Sequence, residues 1–521
     1  MPSKSRVYRH VFQGGYATEL GTLANIAADE GARVEIPFLT RAENIFFTLS
    51  GGIRKIGGTT VYNGTVLEAG AHEIRGIFEY VKQGTAGSPT RKRIAVCSTT
   101  IKKDDNDGSF SNIFTGIADD SVPCFTVFED ELIISTDADE APRTYDQSTA
   151  TTLGGSPPNF AWATVHANRV WAGGDPANPS RLHYSGLLDS TDWNGATNSG
   201  YIDVDPDDGD VLTGARPFRG ELIAFKGPNF GSIHRIQGLV PADFERRVLA
   251  QGVGAAGHNL IFDLGTDLGF VAQDGSIRSL LATADFGDYR TAAMSREIET
   301  FLARITFSSL KRGWAVTDTA RGYSLFALPI DTATSPNSLL MMDTRFGRPR
   351  FAVWTAVDAS CLARMSDASN SNQPIIYAGG SDGYIRKIQQ NSRTIDDDGA
   401  IAAYARTPYI DYGSPLYKKT MRGIGLSIEP KGDYDITVAY RHKTSSSVLL
   451  SQSGGAVLGQ FVLGQDVLGG ARSTPVFAEV FDAGDFRAVS YEISNIVAEE
   501  DFEVQALHVV MEGAASESYE G

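Results

Sequence analysis

The sequence predicts an all-β chain: a β-propeller of about seven blades with an appended C-terminal domain of the β-sandwich or jelly-roll kind. Three observations predict it. Glycine (55) and proline (21) are frequent among the 521 residues and spread throughout, as many short strands and turns require. A strand, a Gly-containing tight turn and an Ile-Arg pair recur along the chain. Past about residue 404 this unit disappears and plain apolar/polar alternation takes over. A chain of this length exceeds what one core usually supports, so two or three units, or one large ring of repeats, are expected.

The recurrent unit has three clear copies, at 45–56, 269–280 and 376–388. Each places a turn before Ile-Arg: Gly51-Gly52 before Ile53-Arg54, Asp274-Gly275 before Ile277-Arg278, and Asp382-Gly383 before Ile385-Arg386. Asp-Gly between β-rich runs is a strong hairpin signal, and a two-residue turn of this type needs positive φ at both central residues. Gly51, Asp274, Gly275, Asp382 and Gly383 are therefore predicted turn residues. Degenerate relatives run from 132–136 to 142–145, from 170–174 to 181–184 and from 222–226 to 233–236. The spacings Ile53 to Ile277 and Ile277 to Ile385 are near multiples of the roughly 40–50 residues that one four-stranded blade consumes, five steps and two. Small twisted sheets cannot bury both faces alone, and radial stacking covers them.

The expected division is an N-terminal segment (1–40) packing with the C-terminal domain, a propeller (41–404), and a C-terminal β-domain (405–521). Strands such as 434–440 and 502–506 alternate as half-buried strands do. Between them Val-Leu-Gly recurs every five residues, a period of neither helix nor strand. An extended loop presenting Val457, Leu458, Val462, Leu463, Val467 and Leu468 as an interface is expected there. Helix is scarce, with 293–302 one of few candidates.

Charge narrows the function classes. With 46 basic and 63 acidic residues the net charge is -17, the wrong sign for gripping phosphates over a broad surface, though it suits DNA that must slide past without sticking. Cys97, Cys124 and Cys361 have neither zinc-ligand spacing nor a disulfide pattern and are expected to be buried thiols. The first twelve residues carry Lys4, Arg6 and Arg9 with no apolar run behind them, and no apolar stretch is long enough to cross a bilayer. Neither a secretory signal nor an integral membrane span is expected, which implies synthesis and folding in a cytoplasm.

Chemical motifs occur without their context. Gly252 to Gly257 matches G-x-G-x-x-G, but a glycine-interrupted segment comes next where a phosphate-binding helix is needed. Gly379 to Gly383 matches G-x-S-x-G, yet Ser381 falls in a predicted hairpin turn. The acidic run 203–210 resembles a calcium loop but has Asp208 and Gly214 where an EF-hand needs glycine and glutamate. Asp119, Asp120, Asp137, Asp139, Glu140, Asp396, Asp397 and Asp398 read as solvated turn charges. The groups Arg91-Lys92-Arg93 and Lys418-Lys419 with Arg422 read as solvated charge or as pairing with an acidic neighbouring subunit. No catalytic residue, cofactor or metal is expected.

Asn168 to Gly174, Asn178 to Ser185, Asp192-Trp193, Asp208 to Asp210 and Leu222 to Lys226 together resemble a pattern of bacteriophage tail and head-completion propellers. The resemblance continues through Gly252 to Gly257, Leu268 to Val271 and Asp274-Gly275. Ala42 to Phe47 before Gly51 to Lys55 is similar, and 484–487 more faintly so. The relatives are the tail-nozzle and packaged-DNA-stabilisation proteins of short-tailed phages, in which these residues are blade strands and turns. The resemblance implies a hexameric ring in the virion tail, on the DNA exit channel. Its implied partners are copies of itself, a portal-side adaptor and tail fibre or tail-tip proteins, with genomic DNA passing without sequence-specific binding. The Val-Leu-Gly loop is similar instead to tail-tip components. A receptor- or glycan-binding tail propeller is the other expectation, with Trp162, Trp171 and Trp193 as its candidate platforms. The repeated Ser-x-Asp-x-Gly-x-Thr-Trp box of glycan-cleaving sialidase-like propellers is missing from the sequence; 190–195 imitates it in the wrong order.

Overall fold

A computed structural model describes residues 5–12, 14–18, 23–24, 33–83, 89–195, 198–286, 293–390, 394–396, 399–413, 415–429, 434–442, 445–452, 475–480 and 485–513. The chain divides into two units, Val61–Leu340 with Val357–Ile388, and Met1–Thr60 with Met341–Ala356 and Gln389–Gly521.

The first unit is a β-propeller. Four four-stranded antiparallel sheets succeed one another, each built from consecutive strands. The first blade is Ile74–Lys82, Thr90–Cys97, Thr100–Asp104 and Phe110–Thr115; the second is Pro123–Phe128, Glu131–Thr136, Arg143–Tyr145 and Ala150–Thr152. The third is Trp162–His166, Arg169–Gly173, Arg181–Tyr184 and Gly200–Asp203; the fourth is Val211–Phe218, Glu221–Gly227, Ser232–Gln237 and Glu245–Gln251. A three-stranded fifth blade (Ile261–Asp263, Leu268–Val271, Ile277–Ser279) is succeeded by the hairpin Trp314–Asp318 with Tyr323–Leu328, whose second strand pairs onward with Ser338–Asp343. The last blade is Cys361–Asp367, Gln373–Gly379 and Ile385–Gln390. Innermost strands touch in chain order and the last touches the first, which closes the ring. Six blades and one hairpin thus stand where about seven blades are expected.

The physical basis is shared burial. Tyr80 and Ile94 of the first blade pack with Leu132 and Tyr145 of the second, and Trp162, Trp171 and Leu182 of the third pack with Leu222 and Ile236 of the fourth. Phe225 and Ile233 then meet Phe270 of the fifth. Each such side chain contributes roughly 1.5–3 kcal/mol by leaving water, and no blade could bury it alone. The chain ends of the unit stitch the closure. Tyr62 N donates to Ile385 O (2.7 Å), Leu67 N to Gly383 O (3.1 Å), and Ile385 N to Asn63 Oδ1 (2.6 Å).

The degenerate repeats are the second and third strands of successive blades. Ile277 and Ile385 begin third strands two places apart in the ring, as their spacing predicts. The copy at 45–56 forms the same turn but lies outside this unit. Its strand Ile53–Lys55 pairs with Glu503–Gly513, Val504 opposite Ile53, so the C-terminal strand captures it. The unit that contains the ring, Val61–Leu340 with Val357–Ile388, lies within the expected 41–404. One expectation for the turns is corrected. Only the glycines hold positive φ: Gly51 +84°, Gly275 +79° and Gly383 +83°, whereas Asp274 and Asp382 do not. The reason is a three-residue loop. Ala272 N donates to Ser276 O and Gly275 N to Ala272 O, a turn ending in a left-handed glycine, and Gly380 N to Tyr384 O repeats the pattern. The aspartate supplies a side-chain acceptor instead, with Asp274 Oδ1 taking Ser276 N (3.0 Å) and Asp382 Oδ1 taking Tyr384 N (3.1 Å).

The helix expected over 293–302 shrinks to the 3₁₀ turn Arg296–Ile298 and the single helical turn Glu299–Leu302. A helix that the sequence pattern does not predict, Leu280–Phe286, comes directly after the third strand of the fifth blade, where other blades place a fourth strand.

The second unit contains two larger sheets among its described residues. In one, Ser5–Phe12 runs antiparallel to Glu503–Gly513, which pairs on its other side with Lys419–Glu429. In the other, Ser490–Asn495 lies between Ala403–Arg406 and Tyr434–Arg441, and the latter pairs with Ser445–Gln452. Burial alternates along Tyr434–Arg441, as the sequence pattern requires. His10 of the first sheet meets Tyr491 of the second at 5.9 Å between ring centroids, so the sheets pack face to face. The Val-Leu-Gly segment with Val457, Leu458, Val462, Leu463, Val467 and Leu468 lies outside the described residues.

Candidate functional site

Gly252 to Gly257 connect the fourth blade to the fifth. The chain continues into one 3₁₀ turn, His258–Leu260, and then a strand, so the helix that a pyrophosphate site requires is not formed. The glycines serve close approach: a Cβ on Gly254 would fall 1.7 Å from Lys226 O. Ser381 sits exposed in the turn of the last blade, and its hydroxyl donates to Asp358 Oδ2 (3.0 Å), a carboxylate and not an imidazole.

The acidic run 203–210 is solvated at Asp203 and Asp207, but its other carboxylates turn inward. It wraps a cation, and the cation is Lys226. The ammonium, fully buried, donates to Val204 O (2.6 Å), Asp205 O (2.8 Å), Asp208 Oδ1 (2.7 Å) and Ser180 Oγ (3.2 Å). Two carbonyls, a carboxylate and a hydroxyl are the donor set of a hard-cation site, and the lysine already fills it.

Beside it, Ser232, His234 and Asp205 imitate a catalytic triad. His234 Nε2 lies 2.8 Å from Ser232 Oγ and 3.6 Å from Asp205 Oδ2, while Nδ1 faces the Arg246 guanidinium at 3.2 Å. A triad needs the carboxylate on one ring nitrogen and the serine on the other. Here Nδ1 accepts from Arg246, Nε2 carries the proton, and the serine receives a hydrogen bond instead of giving up a proton. Burial, aided by neighbouring cations, lowers the His234 pKa to about 4, so the ring is neutral at pH 7.

The turn carboxylates expected to be solvated act mostly as acceptors. Asp137 takes Val122 N (2.6 Å), Glu140 takes Ala118 N (2.8 Å), and Asp210, 3% exposed, takes the N–H groups of Asn229, Phe230 and Gly231 (2.7, 3.0 and 2.7 Å). Asp358 takes Ser381 N, and Gln273 Oε1 takes Gly254 N (both within 2.8 Å). In the second, fourth, fifth and last blades one such side chain therefore ties the incoming connection to the turn between strands two and three. Asp139 accepts from Asn159 Nδ2 and Asp396 from Thr59 Oγ1. Asp119 and Asp120 stay mainly exposed, 61% and 82%, and Asp397 and Asp398 lie outside the described residues.

The basic groups also find partners within the chain: Arg91 with Glu79, Lys92 with Asp105, Arg93 with Asp104, and Arg422 with Glu512. Lys419 is buried at 8% and donates to the carbonyls of Tyr417 and Arg487. Trp162, Trp171 and Trp193 are core residues, at 3%, 0% and 7% exposure, and offer no glycan platform. The three cysteines are free and buried, and desolvation raises the Cys97 thiol pKa to about 12.

The strongest candidate site lies on the propeller axis where the inner strands begin. A cavity of about 360 Å³ opens there, its mouth set by Pro176, Pro179, Val211, Pro228 and Phe307 and its wall by Trp162 and His258. The two rings stack, 5.4 Å apart and 11° from parallel, and Trp162 Nε1 donates to Leu212 O (3.0 Å). His258 Nδ1 accepts from Ala215 N (3.4 Å), and burial with Arg216 nearby pushes its pKa well below the ordinary value. A neutral imidazole bearing its proton on Nε2 can orient a ligand acceptor. The lining is mainly apolar but also includes Asp137, Asp175, Asn259, Gln273 and Lys311, the mixture of apolar surface and a few polar groups usual for a ligand pocket. These residues come from five separate connections, so no local pattern announces them; the prolines in the strand-two-to-three turns are the only sequence signal.

No protein-family model and no curated protein matches the chain. Similar solved structures include BamB from Moraxella catarrhalis, 13% identical with a TM-score of 0.37, covering 67% of this chain and 94% of that one. A quinonprotein alcohol dehydrogenase-like protein from Bacteroides thetaiotaomicron is 10% identical with a TM-score of 0.33, covering 53% and 66%. An exo-beta-1,3-galactanase from Phanerochaete chrysosporium is 9% identical with a TM-score of 0.27, covering 87% and 100%. Proteins of differing activity are thus among those similar to this chain, and the propeller assignment rests on its own ring of sheets.

Proposed function

We propose that the chain is a non-enzymatic structural protein of a tailed-bacteriophage virion, forming a homo-oligomeric ring at the tail-nozzle or head-completion position on the DNA exit channel. The observation that carries this reading is the use of the residues in which the phage resemblance resides. Arg169, Val170 and Trp171 form a second strand, Asp210 ties a connection, Lys226 fills a cage, and Gly275 turns a hairpin. All are scaffold, as the resembled family uses them. The Ser381 and His234 geometries support the absence of catalysis. In this reading six copies make the ring, a portal-side adaptor and tail fibre or tail-tip proteins flank it, and genomic DNA passes without sequence-specific contact. The protein is made in the host cytoplasm and ends in the virion tail.

A second reading, a tail-tip or receptor-binding propeller, is favoured by the axial cavity with its exposed Phe307 and prolines. Negative-stain imaging of the purified protein tests both. A ring with a central hole is expected; monomers that bind host cells would replace the first reading with the second.

A further inference from the structure

At the opposite end of the axis, where the inner strands finish, a second opening of about 790 Å³ is lined by Arg216, Arg219 and Arg364 with Asp263, Thr317 and Thr319. Arg216 and Arg219 stand on and just after the inner strand of the fourth blade, Asp263 ends that of the fifth, Thr317 lies on that of the hairpin, and Arg364 on that of the last blade. The charge here is opposite to that of the chain. Three guanidinium groups face one carboxylate in a protein of net charge -17.

These arginines are also under-used. Arg219 donates to Thr266 O (2.9 Å) and Arg364 to Thr319 Oγ1 (3.3 Å), while Arg364 Nε is buried without an acceptor. Arg216 has no hydrogen-bond or ion-pair partner among the described residues. Its side chain is exposed and lines the funnel. The buried Lys226 of the same unit, by contrast, makes four contacts. An exposed guanidinium with no hydrogen-bond or ion-pair partner is well suited to bind an oxyanion through two parallel N–H donors.

We infer that the axial funnel is a binding site for a small multivalent oxyanion of the phosphate class, held by Arg216 and Arg364 with Arg219 at the mouth and the threonine hydroxyls as further donors. The site is independent of the ring assembly proposed above, since all its residues belong to one propeller.

Isothermal titration of the full chain with inorganic phosphate and with pyrophosphate, at low and at physiological salt, tests it. Saturable binding is expected, stronger for pyrophosphate and weaker in salt. Arg216→Gln and Arg364→Gln are each expected to weaken it at least tenfold, whereas Lys311→Gln, at a residue that lines the cavity at the other end of the axis and pairs with Asp137, leaves it unchanged. Arg216→Lys, which keeps the charge but loses the fork, is expected to bind with intermediate strength, and circular dichroism confirms that each variant is folded. No saturable binding by the wild-type chain overturns the inference. So does equal weakening by Lys311→Gln, or binding to a short DNA duplex that matches pyrophosphate and survives both arginine substitutions.

Discussion

Asp210 shows what the acidic residues of this chain are for. Its carboxylate is buried and accepts three backbone N–H groups, so removing it leaves three donors without partners. Asp210→Ala is expected to destabilise the protein by about 2–3 kcal/mol in urea melts; an unchanged midpoint would mean that water replaces the carboxylate at no cost. Lys226→Met empties the neighbouring cage and is expected to cost about 3 kcal/mol or more, the scale for breaking a buried charge pair. His234 adds a pH dependence whose sign is fixed. Its folded pKa of about 4 lies below the ordinary 6.5, so between these values the unfolded chain binds a proton that the folded one does not. Stability therefore falls as pH drops from 6.5 towards 4 and is unaffected above that window. His10, buried and also lowered to about 4, acts in the same direction. Urea melts at pH 7 and pH 5 are expected to show a smaller acid loss for His234→Gln than for the wild type; identical losses would remove His234 from the account.

At the scale of elements, the strand-two-to-three hairpin is the unit that sequence makes visible. Apolar runs flanking Asp-Gly locate strands Leu268–Val271 and Ile277–Ser279, and Gln373–Gly379 and Ile385–Gln390, because the signal is local and the strands are short. Valine at Gly275 or Gly383 must adopt the left-handed region and is expected to destabilise by more than about 1 kcal/mol; an unaltered melting temperature in both variants would count against the left-handed turn. Ser381→Ala, by contrast, is expected to leave folding and assembly intact, read by circular dichroism and infectivity, since only an exposed bond to Asp358 is lost. The helix Leu280–Phe286 was not legible. Seven residues are too few for a period, and its start depends on Thr283 Oγ1 bonding back to Ser279 O (2.7 Å), a contact that depends on the turn before it.

At the scale of the whole molecule, 63 acidic residues stand against 46 basic ones, a net charge of -17. A ring of such chains is expected to show little affinity for free duplex even at low salt, and no steep fall of affinity with salt, because few counterions are released. Titration against labelled duplex at several salt concentrations reads this. Tight binding that collapses with salt would reveal a basic surface gripping DNA and end the sliding-channel reading, because each phosphate contact would act as friction on the passing duplex.

What the sequence determined by itself was the repeated hairpin, the β class and the change of pattern past the propeller, since these depend on residue spacing over a dozen positions. Tertiary structure alone decided where the ring starts, because the hairpin at 45–56 has the repeat's turn but its pairing partner lies at Glu503–Gly513. It alone turned a calcium-like loop into a lysine cage and brought Ser232, His234 and Asp205 together in an arrangement without triad geometry, because which nitrogen faces which oxygen is set by strand register. The two axial openings are likewise products of closure: their side chains come from separate blades, and only the ring places them on one axis.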